Sequence, residues 1–172
     1  FFDYPIISTN KKYLKEIKRY LKKFKVSKYK IILEPLKRNT GPAILSTSLI
    51  SDIPQQQPML FLSSDHLIEK YKSFNKVIKK TAKFLSDKNI FIFGIKPTNP
   101  SDQYGYFFTK NVGNRLKKVK KFTEKPNIQK AKKIILKGGY WNSGIFLLRK
   151  DSVIFNYKKY QPTMYKRCKI AI

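Results

Sequence analysis

The sequence predicts an α/β fold in which short apolar strands alternate with amphipathic helices. Three observations carry that expectation. Residues 11–24, 72–86 and 128–137 repeat apolar side chains every three or four positions, the period of a helix with one buried face. Compact apolar runs at 30–33, 58–62 and 90–95 are short enough to be strands. Polar clusters follow these runs, as expected where an α/β sheet presents its ligand-binding edge.

Taken in order, Pro5-Ile6-Ile7-Ser8 reads as the end of a first strand. The helix after it places Tyr13, Leu14, Ile17, Tyr20, Leu21 and Phe24 on one face. Asn10 is its expected N-cap, because a side-chain oxygen there can accept from a free first-turn N–H. Residues 30–33 form a short buried strand stopped by Glu34-Pro35, since proline cannot donate to a ladder. A second helix opens at Thr40-Gly41-Pro42, where proline near the first turn costs no internal hydrogen bond. Residues 58–62 are the next buried strand and end in Ser63-Ser64-Asp65-His66. A helix over 72–86 and a buried strand over 90–95 complete a strand–helix–strand–helix–strand order that predicts parallel pairing.

The second half turns to extended pieces near 104–108, 118–123 and 141–148. Between the last two, the helix over 128–137 is terminated by Gly138-Gly139. Residues 151–160 open another helix with Asp151 as its expected cap. No linker or internal repeat marks a domain boundary.

A chain of 172 residues can bury one domain core, and 41% apolar residues with 13 Phe and 11 Tyr exclude a disordered chain. No apolar run reaches the roughly 18 residues of a membrane span, and no signal-peptide pattern is present. The default expectation is therefore a cytoplasmic location. Cys168 is the single cysteine and His66 the single histidine, which argues against a disulfide or a Cys/His metal site. Thirty-eight basic residues against 10 acidic ones give a net charge of +28, enough to attract polyanions. The plainer reading is a solvated helix exterior, with Lys11, Lys12, Lys15, Lys18, Lys22 and Lys23 on one polar face and Lys79, Lys80 and Lys83 on another. The aromatics fall at core spacing and no nucleic-acid-binding motif occurs, so nucleic acid is not the expected partner.

Several residue groups could carry chemistry, each beside a plainer role. Asp65 follows the strongest apolar strand and could hold a divalent ion with phosphate oxygens and water; its plainer roles are a helix cap or a turn residue. His66 is either structural or a balance for phosphate charge. Glu34 to Thr40 joins a rigid turn to a helix N-terminus suited to an anion or a base edge, or is a solvent-facing loop. Gly105 allows close approach of a ligand to the backbone, or bends an edge strand. Glu124 can accept from sugar hydroxyls and Lys125 can offset phosphate charge; otherwise they form a surface ion pair. Asn142 suits a sugar diol, while Trp141 and Phe146 read as core.

Taken together, these stretches resemble the mannose-1-phosphate guanylyltransferases, a family of sugar-1-phosphate nucleotidyltransferases. The resemblance is carried by Glu34-Pro35 with Arg38-Asn39-Thr40-Gly41-Pro42-Ala43-Ile44, Ser64-Asp65-His66 and Gly94-Ile95-Lys96-Pro97-Thr98. It continues through Tyr104-Gly105-Tyr106, Phe122-Thr123-Glu124-Lys125-Pro126 and Trp141-Asn142-Ser143-Gly144-Ile145-Phe146. Gly41 stands where the family commonly has alanine, and Ser63 where it has proline. The resemblance implies a Rossmann-like mixed sheet flanked by helices, of the nucleotide-diphospho-sugar transferase type. It implies transfer of GMP from GTP to mannose 1-phosphate, giving GDP-mannose for polysaccharide biosynthesis, and pyrophosphate. Asp65 then binds Mg²⁺; Glu34, Arg38, Asn39, Thr40 and Ser64 lie on the nucleotide side. Gly105, Glu124, Asn142 and Lys125 hold the sugar phosphate, with Asp65 and Lys125 as the catalytic pair.

The same resemblance leads one to expect a glycine-rich triphosphate loop and a second metal-binding aspartate, and neither has a counterpart between Phe1 and Ile172. The chain is accordingly expected to be part of a catalytic domain, incomplete at both ends, with a nucleotide-side half at 5–95 and a sugar-phosphate half at 96–172. Alone it is expected to make little GDP-mannose, so whether it is an enzyme by itself stays open, as does assembly into a homo-oligomer or with a complementary fragment. The competing readings are another sugar-1-phosphate nucleotidyltransferase, a noncatalytic basic nucleic-acid-binding protein, and an inactive remnant.

Overall fold

The computed structural model describes residues 2–36, 39–113 and 116–172. In chain order they form β1 (Ile6–Asn10), α1 (Leu14–Lys23), β2 (Lys30–Glu34), α2 (Thr40–Ser48), β3 (Pro58–Phe61), α3 (Tyr71–Ala82) and β4 (Ile90–Ile95). Then follow β5 (Tyr106–Asn111), β6 (Lys117–Thr123), α4 (Ile128–Leu136), β7 (Tyr140–Arg149), α5 (Lys150–Tyr160) and α6 (Pro162–Ala171). Two compact units share these elements. The first runs to Met59 and adds Ser86–Lys88 and Arg149–Ile172; the second comprises Leu60–Leu85 and Asn89–Leu148.

In the first unit β1 and β2 pair in parallel, from Ile6↔Lys30 to Asn10↔Glu34, with α1 as the crossover. Asn10 is a cap, but of the 3-10 turn Lys11–Tyr13 that leads into α1 rather than of α1 itself, whose cap position is Tyr13; the Asn10 Oδ1 accepts from the Lys12 N–H at 3.1 Å. Its Nδ2 donates to the Glu34 carbonyl at 3.1 Å, so one side chain starts the turn and ties the two strand ends together. β2 is half-buried rather than buried, and Leu33 is 42% exposed. Helices α2, α5 and α6 pack on one another around Ile44, Leu45 and Val153. Ser48 and Ser152 are fully buried on these helices, and Ser48 returns its hydroxyl to the Ile44 carbonyl at 2.8 Å, so it brings no unpaired polar group into the core. Asp151 is not the cap of α5, contrary to expectation. The cap position is Arg149, and Asp151 sits inside the first turn, where it accepts from Arg149 Nε at 3.0 Å and the Ser152 N–H at 2.7 Å. α6 was not expected; its sequence signal is only Pro162 at the first turn.

Lys150, at the start of α5, is 3% exposed. Its ammonium donates to the carbonyls of Ile50 at 2.6 Å and Ile53 at 2.7 Å. The backbone adds to the grip, because Lys150 N–H reaches Gln57 O at 3.2 Å and Asp151 N–H reaches Gln55 O at 2.9 Å. Burial pushes the Lys150 pKa below its ordinary value, against an opposing pull from the Asp52 carboxylate. Asp52, on the same 50–57 segment, is ion-paired to Lys30 of β2. That hydrogen-bonded partner holds the Asp52 carboxyl below its usual range.

The second unit is built on a five-stranded sheet with the order β3-β7-β5-β6, and β4 also pairs with β7. β4 runs antiparallel to β7, from Ile90↔Leu148 to Ile95↔Trp141, with a register shift between Ile92 and Gly94. The expected run of parallel strands therefore holds for β1–β2 and fails for β4. An apolar run has the same composition whichever way it runs, so its direction is set by a distant partner, β7. β4 is also only half-buried, with both ends exposed. β5 pairs antiparallel with β6 and with β7. α4, capped by Asn127, covers this sheet through a core of Tyr106, Ala131 and Ile134 with Phe108, Ile135 and Trp141 against it. α4 ends where expected, at Gly138-Gly139.

Replacing Lys150 with Met removes the donor from two carbonyls and is expected to lower unfolding stability by about 1–3 kcal/mol, read from urea midpoints. The Asp52–Lys30 pair predicts a separate pH signature. Because the folded-state pKa of Asp52 lies below its unfolded value, its contribution is full above about pH 4 and is lost as pH falls through the folded value. The urea midpoints of wild type and Asp52→Asn should thus differ near neutral pH, and the difference should shrink as pH falls below about 4.

Candidate functional site

Three strand ends of the second unit converge on Gly105. The β5–β7 register, Tyr106↔Trp141, brings the residue before β5 beside the start of β7, and Asn142 N–H donates to Gly105 O at 2.7 Å. The β5–β6 register, Tyr106↔Thr123, brings Glu124 alongside. A Cβ on Gly105 would stand 2.7 Å from Glu124 Oε2 and 2.7 Å from Phe122 Cζ. The missing side chain is what lets the Glu124 carboxylate lie over the backbone. Motifs well separated in the sequence are in this way drawn to one spot.

β7 carries the arrangement one step further. Asn142 Oδ1 accepts from Gly144 N–H at 3.3 Å, and Gly144 adopts φ +70°, a left-handed conformation that favours glycine. The atoms nearest the bare face of Gly144 are Ser63 Oγ and His66 Cε1, 3.9 and 4.0 Å from a Cβ built there. The Ser63–His66 turn after β3 consequently faces the same strand that supplies Asn142. Sequence reading did not bring Ser63 and His66 to Gly144, and the sole hint was a glycine within an apolar motif.

Asp65 and Ser64 lie in that turn, both exposed, and the Asp65 side chain is 85% exposed. Asp65 Oδ1 stands 4.0 Å from His66 Nε2. The helix-cap reading of Asp65 falls away, since α3 starts at Tyr71 with Lys70 in the cap position. Among the described residues no group of three or more His, Cys, Asp and Glu side chains could hold a metal. Lys125 is exposed and has φ +39° although it precedes the buried Pro126. Left-handed backbone at such a residue costs roughly 1–3 kcal/mol and persists only where the surroundings impose it. The described ion pairs do not include one between Glu124 and Lys125, so the surface-salt-bridge reading is not what the structure shows.

The nucleotide-side residues of the first unit are placed separately. Glu34 ends β2 at the carboxyl edge of the β1–β2 pair, and its carboxylate accepts from the Ser8 hydroxyl. Asn39 precedes α2 with φ 64° and ψ −172°, backbone nearly reserved to glycine, and makes no side-chain cap bond. Thr40 is the exposed first residue of α2, and Arg38 lies outside the described residues. Glu34, Asn39 and Thr40 belong to the first unit; Ser64, Asp65, Gly105, Glu124, Lys125 and Asn142 belong to the second.

Within the second unit the arrangement suits a polyhydroxylated anion. The Glu124 carboxyl oxygens can accept, the Asn142 amide keeps two donors, and Lys125 carries an amine on a flexible stem.

Residues 2–172 match the nucleotidyl transferase family. The chain is similar to mannose-1-phosphate guanylyltransferase of Salmonella montevideo, 35% identical over 98% of this chain and 37% of that protein. Its fold is that of a Thermus thermophilus protein described as a mannose-1-phosphate geranyltransferase, with a TM-score of 0.86 at 20% identity over 96% of this chain and 48% of the other. A Helicobacter pylori protein described as a mannose-6-phosphate isomerase superposes with a TM-score of 0.84 at 30% identity, over 96% of this chain and 64% of the other. The helix-flanked mixed α/β sheet of the Rossmann-like nucleotide-sugar transferase type expected from the sequence is the fold observed. The chain spans just over a third of the length of the Salmonella relative, 37%.

Gly105→Ala tests the convergence. Its new methyl meets two side-chain tips rather than backbone, so unfolding stability should change by less than about 1 kcal/mol. The Glu124 carboxylate and the Phe122 ring should nevertheless be displaced from the Gly105 backbone, a shift read directly from a crystal structure of the variant.

Proposed function

The chain belongs to the nucleotidyl transferase family, and on that premise we propose that it serves the transfer of GMP from GTP to mannose 1-phosphate, giving GDP-mannose and pyrophosphate. The convergence of Glu124 and Asn142 on Gly105 is the observation that carries the sugar-phosphate half of this reading. The similarity to the Salmonella guanylyltransferase supports the choice of base and sugar.

The chemistry asks little of proton transfer. A phosphate oxygen of mannose 1-phosphate attacks the α-phosphorus of GTP in line; the new O–P bond forms as the bond to the β-phosphate bridging oxygen breaks, and pyrophosphate leaves with that electron pair. The nucleophile is already an anion, so no general base is required. The difficulty is bringing two anions together, and positioning and electrostatics must overcome it. Glu124 and Asn142 orient the hexose hydroxyls, Gly105 gives the ring access to the backbone, and Lys125 offsets the sugar phosphate. Glu34, Arg38, Asn39, Thr40 and Ser64 take the nucleotide side. In this reading residues 5–95 serve the nucleotide and 96–172 the sugar phosphate, in a cytoplasmic protein. No helix among the described residues is long and apolar enough to cross a membrane.

The single exposed carboxylate of Asp65 fits Mg²⁺, which takes one or two carboxylates and completes its shell with phosphate oxygens and water. Bound there, the ion supplies charge neutralisation to the phosphates.

Since the 172 residues contain no glycine-rich loop of the kind this chemistry uses, binding is a more direct measure than turnover. Mannose 1-phosphate should bind, and Glu124→Gln should weaken it about 10- to 100-fold, matching the ~1.5–3 kcal/mol of a hydrogen bond to a charged group. Equal affinity for glucose 1-phosphate, or wild-type affinity in the variant, would overturn the assignment. Pyrophosphate release with GTP, UTP and dTTP in parallel tests the base.

A further inference from the structure

The spacing of α1 and its flanks gathers Tyr13, Leu14, Ile17, Tyr20, Leu21 and Phe24 toward one face, but the structure divides them. Leu21 is buried and Leu14 and Ile17 are half-buried, so the aliphatic side chains take the cover that the first unit offers. Tyr13, Tyr20 and Phe24 are left outside, and Phe24 is 69% exposed. Core spacing in the sequence led away from nucleic acid; the exposure of these rings leads back to it.

The rings are ordered rather than scattered. Tyr20 and Phe24, one turn apart, lie nearly parallel, with planes at 16° and centroids 6.5 Å apart. The Phe24 N–H closes that turn on the Tyr20 carbonyl at 2.9 Å. Each of the three rings also has a cation beside it. Lys12 Nζ is 4.7 Å from the centre of Tyr13, the Arg19 guanidinium 5.4 Å from Tyr20, and Lys23 Nζ 6.0 Å from Phe24. From Lys11 to Lys25 the chain carries eight basic residues and one acidic residue, Glu16. None of them joins an ion pair among the described residues.

Exposed parallel rings interleaved with cations are the two components that hold a single strand of nucleic acid, whose bases stack on the rings while its phosphates meet the cations. The 10 residues of α1 extend about 15 Å. That is the length of about four bases at a stacked spacing of ~3.4 Å. A duplex hides its base faces and could use the cations but not the rings. A lipid surface asks for a continuous apolar stripe turned outward, whereas the aliphatic residues of α1 are turned in. We propose that the outer face of α1, from Tyr13 to Phe24, binds single-stranded nucleic acid, with Tyr20 and Phe24 as the stacking platform. This function is separate from sugar-phosphate transfer and uses none of the residues assigned to it.

Fluorescence anisotropy on the 172-residue chain, with labelled oligo(U) and oligo(dT) strands of about ten nucleotides, tests the proposal. The double variant Tyr20→Leu/Phe24→Leu keeps the apolar bulk and every cation but loses the stack. It should bind both strands about fivefold or more weakly for each ring removed. Its melting midpoint should change little, because both side chains are exposed. Tyr20→Phe, which keeps the ring, should retain wild-type affinity, and inorganic polyphosphate should bind wild type and leucine variant alike. A second readout needs no variant: on addition of oligo(U) the ring protons of Tyr20 and Phe24 should move in NMR spectra of the wild-type chain. Unmoved ring resonances, or equal affinity of wild type and leucine variant for both strands, reduce the binding to bulk charge and overturn the proposal. Phosphatidylserine vesicles that displace the bound strands from wild type and leucine variant equally well overturn it in favour of a membrane surface.

Discussion

A buried ammonium has to be paired, and in the first unit that requirement organises everything near it. Lys150 opens α5 from a position where water is excluded, and the carbonyls of Ile50 and Ile53 are the partners it has. Holding those two carbonyls fixes the 50–57 segment, whose Gln55 and Gln57 carbonyls in turn accept from the first N–H groups of α5. The same segment carries Asp52 to Lys30, so the end of the α2 region, the start of α5 and β2 are joined through one loop. A charge hidden from solvent weakens a structure unless its geometry is complete, which makes this loop a place where small changes have large effects.

What could be read from the sequence was what is decided locally. The Asn10 cap, the opening of α2 at Thr40-Gly41-Pro42 and the Gly138-Gly139 stop depend on a few neighbouring residues, and each stands where the pattern put it, the Asn10 cap on the short turn ahead of α1. Strand direction does not work this way. Nothing in Ile90–Ile95 tells that its partner is Tyr140–Arg149 or that the two run oppositely. Asp151 failed as a cap for a related reason: a nearby guanidinium and its own helix turn gave its carboxylate other partners. α6 escaped notice because it buries no residue and so lacks the apolar periodicity that announces a helix.

The site shows the same division. Gly105, Glu124 and Asn142 were each recognisable by their short motifs, but motifs do not state distances. Two ladder registers, Tyr106↔Thr123 and Tyr106↔Trp141, bring the three together, and both pass through one fully buried tyrosine. Ser63 and His66 reach Gly144 only through the order of strands in the sheet. Lys125 and Asn39 were named for their chemistry, yet the structure adds that both hold backbone angles unfavourable for their residue type. Strain of that kind has no signature in composition.

The excess of positive charge takes on a different meaning at β6. This strand ends the order β3-β7-β5-β6, and every residue but Thr123 is exposed. Its outer rim is a template onto which another extended chain could add. Lys117, Lys118, Lys120 and Lys121 crowd that rim, and Lys110 lies directly across from Lys118. Two copies approaching edge to edge would set lysine against lysine, a repulsion that keeps the sheet from growing. Salt or a polyanion that masks these charges removes the barrier, so the colloidal behaviour of this chain is governed by its ionic surroundings as much as by its core.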